Sequence, residues 1–298
     1  MENNKRVIIH VMGGIGNQLF AFYAGTFLSK SNKAALHHET LATRFFEIKT
    51  PRTPSLNKFK NSPKKTNIYS TIIIISYRIL NKIFKFPIVF KLKILKYRLT
   101  FFNDIKSNFS VSYFKNYKIK KNEYVYLVGY WQKIGFFSGE KKNTLLKINT
   151  KNINKKIFKL INSKTIAIHF RGGDRLSDFE NKIFLPNSNF YKKSIKYFDE
   201  TNDGYNLHVF TDDKNYAKDI LNKLKIQKQA IFIDDYAPDD ISQIYLLSFY
   251  SNYIIANSTF SLLPAIINKK KNKKIAIFKF WGKKKFPSYL YTKQMKIM

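Results

Sequence analysis

The chain has 298 residues, 44% of them hydrophobic and 16% aromatic, enough apolar material for two buried cores. It has no cysteine, which excludes disulfides and thiolate metal sites and fits a reducing compartment. Lys and Arg total 54 against 19 Asp and Glu, a formal charge of +35; anionic partners explain one part of that excess, and the Lys-, Asn- and Ile-rich usage of AT-rich codons the other.

Met1 to Arg6 run directly into a strand-like Val7–Met12, without the long apolar region of a signal peptide, so the expected compartment is the cytoplasm. Gly13-Gly14-Ile15-Gly16 follows, then a predicted helix over Asn17–Lys30. Pro51, Pro54 and Pro63 mark an irregular stretch at 50–66. Residues Ile68–Phe101 predict helix interrupted at Pro87, with Ile, Leu and Phe interleaved among Lys and Arg. Two readings of it stand: a buried helical pair with a solvated face, or a peripheral helix on an anionic membrane. The apolar run Ile68–Leu80 is broken by Arg78 and falls short of the ~20 residues of a membrane span. Tyr124–Val128 predicts a strand, and a Lys/Asn-rich stretch at 141–163 a linker.

A second alternation follows. Strands are predicted at Thr165–Phe170, Leu207–Thr211, Ala230–Ile233, Tyr253–Ala256 and Lys274–Phe278. Helices are predicted at Asn189–Phe198, Ala217–Leu224, Ile241–Tyr250 and Leu262–Ile267. Strands alternating with helices imply parallel α/β units. The expected architecture is two Rossmann-like domains, 1–150 and 151–298, facing across a cleft. Ligands of such sheets sit at the carboxyl ends of the strands.

Four strand ends carry polar chemistry. At Gly13-Gly14-Ile15-Gly16-Asn17-Gln18 the glycines either bring backbone N–H groups up to an anion or simply make a tight turn. As a dinucleotide fingerprint the motif lacks its third Gly, replaced by Leu19. At His169-Phe170-Arg171-Gly172-Gly173-Asp174 the guanidinium of Arg171 suits phosphate oxygens. His169 joins that site or is a hydrogen-bonded core residue, and Asp174 holds the loop. Thr211-Asp212-Asp213 places two carboxylates to accept from a ribose or base edge, bind a metal or cap the next helix. At Asn257-Ser258-Thr259-Phe260-Ser261 a Ser or Thr caps a helix starting near Leu262, leaving N–H groups for a phosphate. Together the four describe a sugar-nucleotide site.

These motifs, in this order, resemble the bacterial α-1,2-fucosyltransferases of glycosyltransferase family 11 over nearly the whole chain. Gly13–Phe20 matches the family's GGxGNQLF, Gly129-Tyr130-Trp131-Gln132 its GYWQ, and His169–Asp174 resembles its HxRRGD. Phe210–Asp213 is similar to its FSDD, and Ile254–Ser261 to its IIANSSFS. The chain departs from the pattern at Gly172, where the family has a second Arg, and at Arg175, where it usually has an aromatic. It departs again at Phe260-Ser261-Leu262-Leu263-Pro264-Ala265, against FSWWGAW.

The resemblance implies a GT-B-like α/β fold, GDP-fucose as donor, inversion at the anomeric carbon, no cofactor and no metal. It puts Arg171 at the diphosphate, with His169 and Asp174 beside it, and Asn257, Ser258 and Ser261 in the donor pocket. Gly14, Gly16, Asn17, Asp212, Asp213 and Thr259 complete the expected donor-binding set. Asp178 and Glu180, in the loop after the Arg motif, are the carboxylates expected to take the acceptor proton. The implied acceptor is a galactoside in a lipid-linked precursor of surface polysaccharide or O-antigen. The alternatives are a dinucleotide oxidoreductase at the Gly13–Gly16 turn and a nucleic-acid-binding protein. Lys spread along the chain without a recognised binding module counts against the latter, so no nucleic acid is expected as a partner.

Overall fold

Apolar parallel strands alternating mostly with helices organise the chain as two compact units, 1–147 and 148–298. The structure, a computed structural model, describes residues 4–46, 53–104, 109–137, 147–173, 176, 185–199, 204–226 and 230–298.

The first unit contains β1 (Arg6–His10), α1 (Ile15–Asn32), β2 (Ala35–Glu39), α2 (Thr43–Phe46), β3 (Lys64–Lys65) and α3 (Ile68–Phe84). A hairpin of β4 (Val89–Ile94) and β5 (Tyr97–Asp104), then α4 (Val111–Asn116) and β6 (Glu123–Gly129), complete it. Its sheet runs β3-β2-β1-β6-β5-β4, parallel except where β4 pairs antiparallel with β5. Helix α1 is buried almost all round, because its sequence is apolar or small on every face. A Cβ on Gly25 would lie 2.9 Å from Leu36 Cδ1 and 3.3 Å from Ile9 Cγ1, so glycine lets the helix seat directly on β1 and β2.

In this unit the structure corrects one predicted element. The helix predicted over Ile68–Phe101 ends at Phe84, with Lys85 in the left-handed region at φ 49° and Pro87 just beyond. The hairpin takes over from there. Lys and apolar residues alternate from Phe90 to Ile94, and that period of two is a strand's, not a helix's. Aromatic stacking secures the change: Phe86 on Phe90 at 4.1 Å and Tyr77 on Phe101 at 4.2 Å. Strand β2 has no counterpart among the predicted elements, because His37, His38 and Glu39 do not read as an apolar run.

The second unit contains α5 (Lys156–Leu160), β7 (Thr165–Phe170), α6 (Ser188–Phe198), β8 (Asn206–Thr211), α7 (Lys214–Lys223) and β9 (Ala230–Phe232). There follow α8 (Asp240–Leu247), β10 (Asn252–Ile255), α9 (Thr259–Ile267) and β11 (Lys274–Ile277), then the short pair β12 (Phe280–Trp281) and β13 (Lys284–Lys285), and last β14 (Met295–Ile297). Its six-stranded sheet runs β14-β11-β10-β7-β8-β9 and is wholly parallel. One part of its core packs Ile166, Ile168 and Phe170 of β7 against Phe190, Tyr191 and Ile195 of α6 and Ile220 and Leu221 of α7. From β7 the chain steps to β8 and β9 on one side, then returns to β10 and β11 on the other. The strand order therefore reverses between β7 and β10, where doubly wound sheets take their ligands.

Candidate functional site

The reversal point sets the geometry of the second unit. Strand β7 delivers His169 and Arg171 to the carboxyl edge, and the loop after β10 delivers Asn257 and Ser258 beside them. His169 Nδ1 lies 2.9 Å from Ser261 Oγ in the first turn of α9, a bridge that closes the gap between the two elements. The Tyr191 hydroxyl donates to the His169 carbonyl at 3.2 Å, and the Phe260 ring sits 5.5 Å from the imidazole. His169 is a buried, hydrogen-bonded residue, and it reaches the first turn of α9 through Ser261.

Burial and the nearby Arg171 guanidinium push the His169 imidazole down to about 3. It is therefore neutral at physiological pH and can bridge to a serine without adding charge.

Arg171 follows on an irregular turn, its side chain only 18% exposed, and its Nη1 pairs with Asp212 Oδ2. The other oxygen of the same carboxylate accepts from the Gly172 backbone N–H at 2.9 Å. Asp212 thus holds both the guanidinium and the peptide that follows it. Asp213 acts elsewhere. Its carboxylate accepts from the Tyr216 N–H at 3.0 Å as the N-cap of α7, while its own N–H donates to Thr211 Oγ1. The two neighbouring carboxylates separate into one that orients Arg171 and one that starts a helix.

The glycines are close-fitting. A Cβ at Gly172 would meet Asp213 Cβ at 2.9 Å and the Tyr216 ring at 3.1 Å. One at Gly173, whose φ is +35°, would meet Asp212 Oδ2 at 2.6 Å. The site has been built around the missing side chain.

Helix α9 begins at Thr259, three residues earlier than the sequence suggested, with Ser258 as its N-cap accepting from the Phe260 N–H at 3.3 Å. Pro264 falls inside the helix. Asn257 is nearly buried at 9% exposed. At the other end of α9, Lys273 Nζ donates to the carbonyls of Ala265 at 2.6 Å and Ile266 at 3.0 Å, and burial pulls its ammonium down to about 8. Asp174, Asp178 and Glu180, singled out from the sequence, lie outside the described residues.

In the first unit the glycine turn lies after β1. Gly13 has φ +66°, and Gly14 is the N-cap of α1 without a side-chain capping hydrogen bond. Gly16 is buried, and the Asn17 amide oxygen accepts from Gln132 Nε2 at 2.8 Å. That contact joins the glycine turn to the Gly129–Gln132 motif after β6, a neighbouring strand. Gln18 does not face outward. It donates to the Gly13 carbonyl at 2.9 Å and the Thr53 carbonyl at 3.2 Å, and accepts from the Ser55 N–H, pinning the 53–55 segment.

Sequence reasoning missed a buried cluster at the end of β1. His10 Nδ1 lies 3.0 Å from Glu39 Oε2, and Arg78 Nη1 lies 3.0 Å from His10 Nε2. Burial lowers the imidazole; it acts to raise the carboxyl too, but hydrogen bonds from His10, Ala42 and Thr71 outweigh it and hold Glu39 low. The proton distribution is neutral His10 donating to anionic Glu39 and accepting from Arg78. Asp104, at the end of β5, is also buried, and desolvation pushes its carboxyl up to about 6. No group of three or more His, Asp or Glu suited to a metal ion occurs among the described residues.

His169 gives a testable pH dependence. Its folded-state value lies below that of an unfolded imidazole, so acid favours the unfolded chain and stability is lost as pH falls below about 6.5. Differential scanning fluorimetry from about pH 7 to about pH 4 should show a falling midpoint, shallower in His169→Asn, whose amide can still reach Ser261. Superimposable pH profiles would show that His169 titrates as a solvated imidazole.

Comparison with known proteins bears on the family and the fold. A family model described as Glycosyl transferase family 11 matches residues 6–294. No curated protein sequence matches the chain. Among solved structures, POFUT1 in complex with GDP is similar at a TM-score of 0.53 and 12% identity, over 93% of this chain and 99% of that one. An Arabidopsis thaliana FUT1 mutant in complex with GDP is similar at a TM-score of 0.52 and 11% identity, over 93% of this chain and 70% of that one. The fucosyltransferase NodZ from Bradyrhizobium aligns over 87% of this chain and 92% of its own, at a TM-score of 0.46 and 10% identity. The fold class is the expected α/β, GT-B type.

Proposed function

The chain belongs to glycosyl transferase family 11, and on that premise we propose that it moves L-fucose from GDP-fucose to a galactoside hydroxyl, in α-1,2 linkage and with inversion. The observation that carries the reading is the meeting, at one edge of the second unit, of Arg171, the Gly172 loop and the Ser258-capped N-terminus of α9. A forked cation and helix-end N–H groups suit a nucleoside diphosphate. The motifs that resemble the fucosyl-transferring family, and the GDP carried by two structures of the same fold, support guanosine diphosphate as that nucleotide.

In the proposed reaction an acceptor oxygen attacks the anomeric carbon as the bond to the β-phosphate oxygen breaks. The electron pair leaves with GDP, and the acceptor proton passes to a carboxylate, with Asp178 and Glu180 as candidates. Charge builds on the departing diphosphate, where Arg171 and α9 lower the barrier. The second unit, proposed as residues 151–298, takes the donor, with His169, Asp174, Asp212, Asp213, Asn257, Ser258, Thr259 and Ser261 around it. The first, 1–150, takes the acceptor, while Gly14, Gly16 and Asn17 of its glycine turn stay in the proposed donor-binding set. The acceptor class we propose is a lipid-linked precursor of surface polysaccharide, met in the cytoplasm.

Three measurements test the reading. GDP should raise the melting midpoint and UDP should not; stronger stabilisation by UDP would overturn the donor assignment. Transfer should survive EDTA, since cationic side chain and amides are proposed to meet the diphosphate charge. Loss restored by Mg²⁺ would assign Asp212 to a metal instead. Arg171→Lys keeps the charge but loses the fork, and Arg171→Ala loses both; each should cut turnover roughly 10²–10³-fold while circular dichroism stays unchanged. Near-normal turnover in Arg171→Ala would move the phosphate contact elsewhere, with Arg175 the next residue to test.

A further inference from the structure

Helix α3 carries large apolar side chains on its outer face as well as on the face that packs against the core. Its core-facing positions are Ser70, Thr71, Ile74 and Tyr77, with Arg78 reaching in over the Phe46 ring at 3.9 Å and to His10. The opposite face, turned away from the sheet, presents Ile68, Tyr69, Ile72, Ile79, Leu80 and Ile83, each between 42% and 70% exposed. At 3.6 residues per turn these fall in a single stripe broken only by Ser76. Of seventeen large hydrophobic side chains exposed among the described residues, eleven lie between Ile68 and Leu95, so the feature is a patch and not scatter.

The β4–β5 hairpin extends it. Phe90 stacks on Phe86 and lies 6.1 Å from Tyr77, which fixes that face of β4 as the one carrying α3. Alternation then places Leu92 and Ile94, both exposed, on the same side. At the tip the two-residue turn is Leu95-Lys96, with Leu95 at φ +52° and 87% exposed. Such turns favour Asn or Gly, and a leucine there carries a conformational cost with no burial to offset it within the chain.

Charge identifies what covers the patch. No Asp or Glu occurs between Glu47 and Asp104, while Lys82, Lys85 and Lys96 flank the apolar stripe. A second copy would set lysine against lysine, whereas an anionic lipid headgroup layer complements them. No helix among the described residues is long and apolar enough to cross a membrane, so the contact is one of lying on, not spanning.

We propose that this face docks the protein on an anionic bilayer, with α3 parallel to the surface, its isoleucines at the headgroup–acyl boundary and Leu95 inserted at the hairpin tip. The proposal rests on the surface alone and stands or falls without the sugar donor.

The test is co-sedimentation of the full chain with vesicles of phosphatidylglycerol and phosphatidylcholine, against phosphatidylcholine alone. Binding is expected only to the anionic vesicles, weakening as salt rises. Ile72→Ser/Ile79→Ser/Ile83→Ser should lower affinity by on the order of tenfold or more. Lys82→Ala, Lys85→Ala and Lys96→Ala should each cost roughly fivefold. Leu95→Asn is the discriminating variant, because asparagine suits a positive φ: it should melt no lower than the parent yet bind vesicles more weakly. Absence of binding at low ionic strength would overturn the proposal, as would full binding by Leu95→Asn together with the triple variant. A lipid-free dimer by sedimentation velocity, lost in the triple serine variant, would overturn it in favour of a second copy.

Discussion

The pairing of Arg171 with Asp212 is the contact on which the carboxyl edge of the second unit's sheet depends. Arg171 leaves the end of β7 and Asp212 the end of β8, so the pair fastens two adjacent strand termini. The same carboxylate receives the Gly172 N–H, fixing the first turn of the loop in one orientation. On the opposite flank, His169 and Ser261 tie β7 to α9. A parallel sheet puts its loops at one edge, but it does not say how they meet. These two contacts do that.

The first unit solves a similar problem with amides instead of ions. The Asn17–Gln132 hydrogen bond joins loops after neighbouring strands, and Gln18 uses both ends of its side chain to hold backbone from another segment. The Glu39–His10–Arg78 chain anchors α3 to the sheet through a polar contact. That anchor bears on the character of α3. Polar contacts through Arg78 and Thr71 help hold the helix alongside its buried Ile74 and Tyr77, so its outer isoleucines are not needed for that seat.

How far the fold is legible in the sequence depends on how each element gets its stability. Strands β7, β8 and β10 lie under helices on both faces, so they appear as unbroken apolar runs and can be placed to within a residue or two. Strand β2 ends in His37, His38 and Glu39; the burial of the last two is made tolerable by partners far along the chain, and no local pattern marks the strand. The hairpin after Pro87 is masked because the apolar and basic composition of α3 continues into it, although its strict alternation from Phe90 to Ile94 has a strand's period. For the site, Arg171 and Ser258 are legible, since a strand end and a helix start are local events. The partnership of Asn17 with Gln132, 115 residues apart, is not. Nor can adjacency in sequence show that Asp212 and Asp213 divide their labour.

Gly172 couples the loop to the helix behind it. Any side chain there would press on Asp213, the residue that starts α7, and on the Tyr216 ring one turn further along. A Gly172→Arg substitution would therefore have to shift the start of α7 before its guanidinium could reach a ligand. The sequence of the turn and the placement of α7 can change only together.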